Sequence, residues 1–179
     1  MKMIKMLASS SMITLALSVV FTATSLAQSP KLNDAEVASV AVTANQIDIN
    51  YAAVAKIKSK NPDILKFAET MTNDHKAVIA QAVALVTKLK VTPKDNAVSK
   101  KLMADAEKTK KSLLSKSGKA FDRAYIDNEV AYHKAVISTV EGLLIPTAKN
   151  AELKALLEKV VPALKTHLSH AEMVQMNFK

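Results

Sequence analysis

Apolar residues recur at helical spacing along most of the chain, and this pattern predicts four to five helices. A first helix is expected after Asn33, whose side chain can cap it while Glu36 completes a capping box. Asn61 followed by Pro62 is typical of the start of a second helix, with Pro62 at its first position. The apolar stripe of the first helix is Val37, Val40, Ala41, Ala44, Tyr51, Val54 and Ala55; that of the second is Ala68, Met71, Val78, Ile79, Ala82 and Val86.

The second half of the chain carries one weak and two strong helical patterns. Residues 97–115 are weakly patterned, which indicates a helix that serves as a crossover or packs on the outside. A strong helix is expected from about Phe121 to Leu144. In the last helix, Pro162 is expected to cause a kink or a division near Val161. The inner face of this last helix is predicted as Leu153, Leu156, Val160, Leu164, Ala171 and Val174.

Long helices joined by short connections predict an all-α, up-and-down helical bundle. The chain lacks the alternating runs between Asn-Gly or Asp-Gly turns that indicate strands, and it contains only 2 glycines.

The N-terminal segment predicts export. Lys2 and Lys5 precede an apolar stretch, and Ser25-Leu26-Ala27 supplies the small residues that signal peptidase recognises. Residues 1–27 are therefore predicted as a cleaved secretory signal peptide, and residues 28–179 as a single domain with its core at 32–176. The apolar stretch is shorter than the roughly 20 residues of a spanning helix, so we expect no transmembrane segment in the mature chain.

Charge and cysteine content restrict the partners. Removing 27 residues, with Lys2 and Lys5 among them, from the 179-residue chain leaves 152 residues and lowers the net charge from +9 to +7. Nearly all of the positive charge is lysine, which is poorly suited to bidentate recognition, and no nucleic-acid motif occurs. We expect no nucleic-acid partner and at most weak association with anionic components of the cell envelope. Without cysteine the fold has no disulfides. The sequence does not define an oligomeric state.

Three of the 4 histidines lie centrally in apolar stripes on three different predicted helices: His75, His133 and His167. Asp48 lies roughly 60° from the centre of the inner face of the first helix, and Glu129 lies one turn before His133. Imidazole and carboxylate groups on facing helices can converge in the core of a bundle. Because such mixed nitrogen and oxygen sets suit zinc, iron, copper or manganese, these five residues are the candidate metal ligands.

Asp74 and His170 lie on the flanks of the same helix faces and are assigned to the shell around the candidate ligands. No catalytic residue is assigned, because the chain lacks a nucleophile motif, a phosphate-binding glycine loop and a dinucleotide fingerprint. Whether the protein is an enzyme stays open, since an oxidoreductase or hydrolase would need a bound metal with an open coordination position.

The alternative prediction needs no metal. Buried histidines can be satisfied by a neighbouring carboxylate or hydroxyl, and such a network fixes the register of helices in a core. In that case the protein is a structural or interaction protein of the cell envelope. The available partners are Asp48, Glu129, Tyr51 and Tyr132.

Three short motifs resemble an exported bacterial family, the domain of unknown function numbered 4142, whose members are often labelled "predicted outer membrane protein". The motifs are Phe67-Ala68-x-x-Met71-x-x-Asp74-His75, Gly118-Lys119-Ala120-Phe121-Asp122-x-x-Tyr125 followed by Val130-x-x-His133, and Leu164-x-x-His167-Leu168. With the signal peptide, the resemblance covers about residues 32–176.

The resemblance implies a ferritin-like bundle in the bacterial envelope, with no agreed biochemical activity. The leading hypothesis, a role in metal handling or envelope stress protection, rests on the inward placement of the three histidines. The resemblance singles out Asp74, His75, Phe121, Asp122, His133 and His167, with Asp48 at the acidic position of the first helix. Thr72 and Val130 stand where a di-iron ferritin needs the glutamate of Glu-x-x-His. This argues against the usual carboxylate-bridged di-iron centre and leaves a mononuclear or histidine-rich site. We expect a periplasmic protein, peripheral if it meets the outer membrane.

Overall fold

The computed structural model describes residues 31–178 of the chain, which form one helical bundle. Its elements are α1 (Asp34–Lys58), α2 (Pro62–Lys88), α3 (Ala97–Leu114), α4 (Gly118–Thr139), a π-helical segment (Val140–Leu144), α5 (Ile145–Thr147) and α6 (Ala151–Met176). No strand occurs in this part of the chain, so the predicted all-α fold is confirmed. The predicted signal peptide, residues 1–27, lies outside the described residues.

Asparagine side chains begin four of the helices. Asn33 accepts from the Glu36 amide while the Glu36 side chain accepts from the Asn33 amide, so the predicted capping box is present. Asn61 caps α2 ahead of Pro62, also as predicted. Asn96 and Asn150 cap α3 and α6 in the same way. Each cap satisfies amides that a helix end leaves without a partner.

The long helices form two antiparallel pairs. In the α1–α2 pair, Lys56 of α1 forms an ion pair with Glu69 of α2 near their connection. In the α4–α6 pair, Lys134 forms an ion pair with Glu172, and Glu141 near the start of the π-helical segment forms one with Lys165 of α6. The four helices α1, α2, α4 and α6 enclose the core, and the long connection between the pairs contains α3. This is the arrangement expected of a ferritin-like bundle.

The helix α3 runs along the outside of α1, parallel to it. Ser39 near the start of α1 donates to Asp95 just before α3, and Lys58 at the end of α1 donates to the carbonyl of Leu114 at the end of α3. Only Ser99 and Leu113 of α3 are buried. The weak pattern of residues 97–115 thus reflects an outer crossover helix, as expected.

The core has an aromatic part and an aliphatic part, which meet at the level of the three central histidines. The aromatic part lies towards the connection between α1 and α2 and includes Phe67, Phe121 and Tyr125, each inaccessible to solvent. The aliphatic part lies towards the start of α1 and contains no aromatic residue: Leu32, Val37, Val40, Val140, Leu144, Ala148, Leu153, Leu157, Val161 and Leu164.

Two details of the helices differ from the expectation. The strong helix expected from about Phe121 begins at Gly118 and changes to π-helical geometry over Val140–Leu144. The last helix is continuous through Pro162 rather than divided near Val161. Pro162 lies on the exposed face, as does Glu158, whose carbonyl loses its helical partner there. Water can satisfy that carbonyl, so the helix continues.

Some predicted inner-face residues are only half-buried. On α2 these are Val78, Ile79 and Ala82, and on α6 they are Leu156 and Val160. The fully buried positions missed on α6 are Leu157 and Val161. The physical reason is a cavity between these helices, described below with the site. No helix of residues 31–178 combines the length and apolar character needed to cross a membrane.

Candidate functional site

The three central histidines converge from three helices. Their ring centroids are separated by 5.8 Å between His75 and His133, 5.2 Å between His75 and His167, and 5.6 Å between His133 and His167. One nitrogen of each ring lies within 4.8 Å of a nitrogen of each of the others. All three residues are buried. The helical periodicity that placed them centrally on separate stripes therefore brings them together in space.

Each ring has one nitrogen held by an acceptor. His75 Nδ1 lies 2.7 Å from Asn45 Oδ1, and the Asn45 amide is oriented because its nitrogen donates to the Ala41 carbonyl. His133 Nδ1 lies 3.0 Å from the backbone carbonyl of Glu129. Because a carbonyl oxygen only accepts, these two nitrogens carry hydrogen when the rings are neutral. The second nitrogen of each ring is then a free lone pair.

His167 also has one nitrogen held by an acceptor, but in this ring it is Nε2 rather than Nδ1. Its Nε2 donates to Asp74 Oδ2 at 2.9 Å, which leaves Nδ1 as the lone-pair nitrogen. The nitrogens without a hydrogen-bond partner are His75 Nε2, His133 Nε2 and His167 Nδ1, and all three are shielded from solvent. A ring fixed by an outer acceptor with its other nitrogen free is the arrangement that metal-binding histidines adopt.

Two fully buried carboxylates accompany the rings. Asp48 Oδ2 lies 3.1 Å from His75 Nε2 and 3.3 Å from His133 Nε2, but at angles that do not suit a hydrogen bond. Glu129 Oε2 lies 3.6 Å from His133 Nδ1. Neither carboxylate has a hydrogen-bond partner among the described residues. Asp48, Glu129 and His133 also meet within 4.8 Å of one another. A buried carboxylate without a partner is costly, so this cluster has unused binding capacity.

Burial sets the protonation of the cluster. It lowers the pKa of His133, against the opposing charge of Asp48, and lowers the pKa of His167, against the hydrogen bond to Asp74. Burial, together with the negative charge of Asp48, raises the pKa of Glu129 well above its ordinary value. At neutral pH His133 and His167 therefore present lone pairs, and Glu129 holds a proton more readily than an exposed glutamate does.

The structure brings the five candidate ligands together, and one of the two flanking residues contacts them. Asp74, assigned to the surrounding shell, accepts from His167, with 52% of its side chain exposed. His170 instead lies outside the cluster, with its ring centroid 5.1 Å from that of Phe67. Asp122, singled out by the family resemblance, accepts from Ser59 at 2.6 Å and ties the start of α4 to the end of α1. Asp122 is therefore part of the scaffold.

Sequence reasoning missed Asn45, which orients His75. Asn45 lies three residues before Asp48, so it shares a helix face with it, and this spacing was the available signal. Tyr132 was considered as a histidine partner, but its hydroxyl donates to the Ala44 carbonyl at 2.8 Å. Burial raises the pKa of Tyr132 far above its ordinary value, so this hydroxyl keeps its proton and its donor role.

The cluster lines a cavity of about 500 Å³ that lies between α1, α2, α4 and α6 and is also lined by a few residues of α3. The histidines and Asp48 contribute to its wall at one level, and alkyl side chains of the aliphatic part form the wall beyond them. The half-buried Val78, Ile79, Ala82, Leu156 and Val160 all line it. The buried cluster is therefore next to an open space rather than enclosed by packed side chains.

Fold and site together define an all-α bundle with a buried histidine–carboxylate cluster. The chain belongs to the family described as domain of unknown function DUF4142, whose sequence model matches residues 21–174. The resemblance drawn from the three motifs is thereby confirmed.

One solved structure has a similar fold, "CopM in the Cu(II)-bound form". The two share 16% sequence identity with a TM-score of 0.63, over 84% of this chain and 100% of that one. At this identity the likeness concerns the fold alone. A comparison with curated proteins gives no match.

Proposed function

We propose that this protein binds a single divalent transition-metal ion through His75, His133 and His167, with Asp48 as a further ligand. The observation that carries the proposal is the set of three buried ring nitrogens without partners, each on a ring whose other nitrogen is held by an acceptor. Glu129 lies beside this set and is the fifth candidate, either as a ligand or as a neighbouring proton carrier.

The donor set fits such an ion. Nitrogen ligands of zinc lie at about 2.0–2.1 Å from it, so ligand atoms around one ion lie no more than about 4.2 Å apart. The histidine nitrogens here lie within 4.8 Å of one another, so small side-chain movements suffice. A divalent ion would also compensate the buried charge of Asp48, whose oxygens have no hydrogen-bond partner. When bound, the ion would supply Lewis acidity or redox chemistry according to its identity.

The ligand types favour copper(II) or zinc among the ions that imidazole and carboxylate bind. Divalent affinity rises along the series from manganese to copper and falls again at zinc, so copper(II) is expected to bind most tightly in vitro. The neighbour of similar fold is described as Cu(II)-bound, which supports testing copper first. Iron and manganese are the weaker candidates for the same site.

The role that we propose is metal handling, or protection of the cell envelope against metal stress, in the periplasm. The N-terminal pattern of Lys2, Lys5, an apolar stretch and Ser25-Leu26-Ala27 supports export. The net charge of +7 that remains when Lys2 and Lys5 are removed from the +9 of the full chain is compatible with weak attraction to anionic envelope polymers.

A specific observation also favours the non-metal alternative. Asp48 Oδ2 lies between His75 Nε2 and His133 Nε2, at 3.1 Å and 3.3 Å. If one ring were protonated, Asp48 would form a buried ion pair with it, and the cluster would serve only to fix the helices against one another. This function predicts a metal-free protein whose stability depends on Asp48.

The deciding experiment is a competitive titration with a chelator, using copper(II), zinc, iron(II) and manganese in turn. The full chain is expressed with its own N-terminal segment and purified without a histidine tag. We expect one equivalent of copper(II) or zinc, and at least about a hundredfold weaker binding in each of His75→Ala, His133→Ala and His167→Ala, because a ligand matters at least as much as the groups that orient it. His170→Ala is the matched control and should bind like the parent.

Two further measurements make the result decisive. Circular dichroism identifies any alanine variant that fails to fold. Asp74→Ala removes only a half-exposed acceptor of His167, so it should fold normally and lose about tenfold in affinity. Loss of folding in His133→Ala combined with full affinity in Asp74→Ala would count against the proposal. A parent protein that binds none of the four ions would establish the polar network instead.

A further inference from the structure

The cavity beside the histidine cluster is elongated. Its lining on α1 extends from Ala38 to Tyr51, a length of about 20 Å along the helix axis. On α2 it extends from Asp74 to Val86. The histidines and Asp48 lie towards one end of this length, at the level where the aromatic part of the core begins.

The side chains around this cavity are too small to fill it. All described aromatic residues lie at or beyond the histidine level, away from the cavity's long apolar part: Tyr51, Phe67, Phe121, Tyr125, Tyr132 and Phe178. Alanines such as Ala41, Ala82 and Ala163 face the cavity. Leucine and valine with alanine cannot span the gap between four helices, and the atoms lining an unfilled apolar space lack packing partners. An apolar cavity is also poorly suited to ordered water.

On α1, α2 and α6, the polar groups of the cavity other than Gln81 lie at or near the level of the cluster. The lining also includes Asp105 and Thr109 of α3 and Thr139 of α4. Along the α2–α6 side, the lining beyond the histidines is alkyl apart from Gln81, which lies at the exposed edge and binds Lys159 at 3.3 Å. Pockets for small molecules typically combine apolar walls with a few convergent polar groups, over about 300–1,000 Å³. This cavity therefore matches a molecule with one polar end and a long apolar body.

We infer that the metal-loaded protein binds a single-chain alkyl carboxylate, with its chain along the aliphatic part and its carboxylate at the histidine level. The inference rests on the proposed function, because the ion supplies the charge that selects the head group. Without metal, the ring lone pairs and the Asp48 oxygens are all acceptors and would disfavour an anion. The two positive charges of a divalent ion exceed the single negative charge of Asp48. The metal-loaded site therefore has a net positive charge that attracts a carboxylate.

An entry route is present between α2 and α6. Ala77 and Ala163 line the cavity and are exposed, while Val78 and Ile79 beside them are half-buried. The two helices are tied across this opening by long side chains, Lys88 with Glu152 and Lys159 with Gln81. Such exposed pairs are weak and can open without unfolding a helix.

The test uses dodecanoate, below the concentration at which it forms micelles, with protein whose zinc or copper content is measured first on the same sample. Isothermal titration should show one equivalent bound to the loaded protein, and at least tenfold weaker binding to protein stripped of metal. Dodecyltrimethylammonium, with the same chain and a cationic head, should bind at least tenfold more weakly than dodecanoate.

A pair of matched variants locates the site. Ala82→Leu adds volume on the cavity wall and should weaken dodecanoate binding at least tenfold while metal content stays at the parent level. Ala80→Leu, two residues away on the exposed face of α2, should change neither. If metal-loaded protein does not bind dodecanoate, or if dodecanoate binds equally well with and without metal, this inference is wrong, but the proposed metal site is unaffected. Protein that takes up neither zinc nor copper when either is added overturns the proposed function instead.

Discussion

At the scale of single residues, the site is defined by which nitrogen of each histidine is occupied. Asn45, the Glu129 carbonyl and Asp74 each take one ring nitrogen, so the neutral rings offer the other. This arrangement suits a metal ligand, because each neutral ring keeps one lone pair that no donor among the described residues occupies. The charge of the site depends also on the two buried carboxyl groups beside these rings, those of Asp48 and Glu129.

The first prediction concerns Glu129 and pH. Its pKa is raised in the folded protein from an ordinary value of 4.5, so its contribution to stability is complete below pH 4.5 and is lost as the pH rises through the folded pKa. Each unit of this shift corresponds to about 1.4 kcal/mol. Glu129→Gln cannot ionise, so the Tm of this variant minus that of the metal-free parent should increase from pH 4.5 towards pH 8.

The control for this measurement is Glu158→Gln on the exposed face of α6. That side chain is hydrated in both folded and unfolded chains, so its Tm difference from the parent should stay nearly constant over the same range. A Tm difference for Glu129→Gln that stays constant or decreases with rising pH would show that Glu129 ionises freely in the folded protein.

The residues of the site were only partly accessible from sequence. Central placement on an apolar stripe identified His75, His133 and His167 without any structure. Asp48 was found because it is a charged residue near an inner face. Asn45 was missed because a neutral amide on an α1 face looks like an ordinary polar position until the ring it orients is known. Periodicity gives the direction of a side chain but not its partner on another helix.

At the scale of helices, capping residues and apolar periodicity predicted well where the helices lie. Irregularities of the backbone within those helices were predicted less well. Asn33 and Asn61 begin helices as predicted because their amide chemistry acts locally. The π-helical segment at Val140–Leu144 was not predicted, since it depends on how α4 packs at the far end of the bundle. Pro162 lies within a continuous helix because its exposed position lets water replace the lost bond.

The chain's two glycines provide a matched prediction for the helices. Neither would bring an added Cβ within 4 Å of another atom, but Gly118 has φ +53° while Gly142 has no such conformation. Gly142→Ala should therefore raise the free energy of unfolding by about 0.5–1 kcal/mol, because alanine loses less backbone freedom on folding. Gly118→Ala should lower it by about 1–2 kcal/mol, since a side chain strains the left-handed backbone. Urea unfolding of both variants measures the two values, and effects of the same sign would contradict the account.

At the scale of the whole molecule, the bundle is asymmetric along its length. One part is filled by large rings such as Phe67, Phe121 and Tyr125, and the other combines short aliphatic chains with a cavity of about 500 Å³. The sequence predicted the bundle and its outer crossover helix. It did not predict the cavity, because a cavity arises from the sum of side-chain volumes across four helices, which no single stripe reveals.

This asymmetry predicts unequal local stability. Amides near Val78–Val86 of α2 and Leu153–Val161 of α6 should exchange with solvent faster than those near Ile126 in the aromatic part, because fewer packed contacts oppose local opening. Hydrogen exchange followed by mass spectrometry on the metal-free protein measures the difference. Equal protection in the two parts, or slower exchange around the cavity, would mean that the aliphatic part is as tightly packed as the aromatic part.

The most direct test of the central claim is to locate the ion. Crystals of the untagged protein grown with one equivalent of copper(II) or zinc would be measured at the absorption edge of that metal. We predict one strong anomalous peak between His75, His133 and His167, within bonding distance of a nitrogen from each ring. Peaks confined to surface groups, with none in the core, would contradict the account and leave the histidines as a structural network.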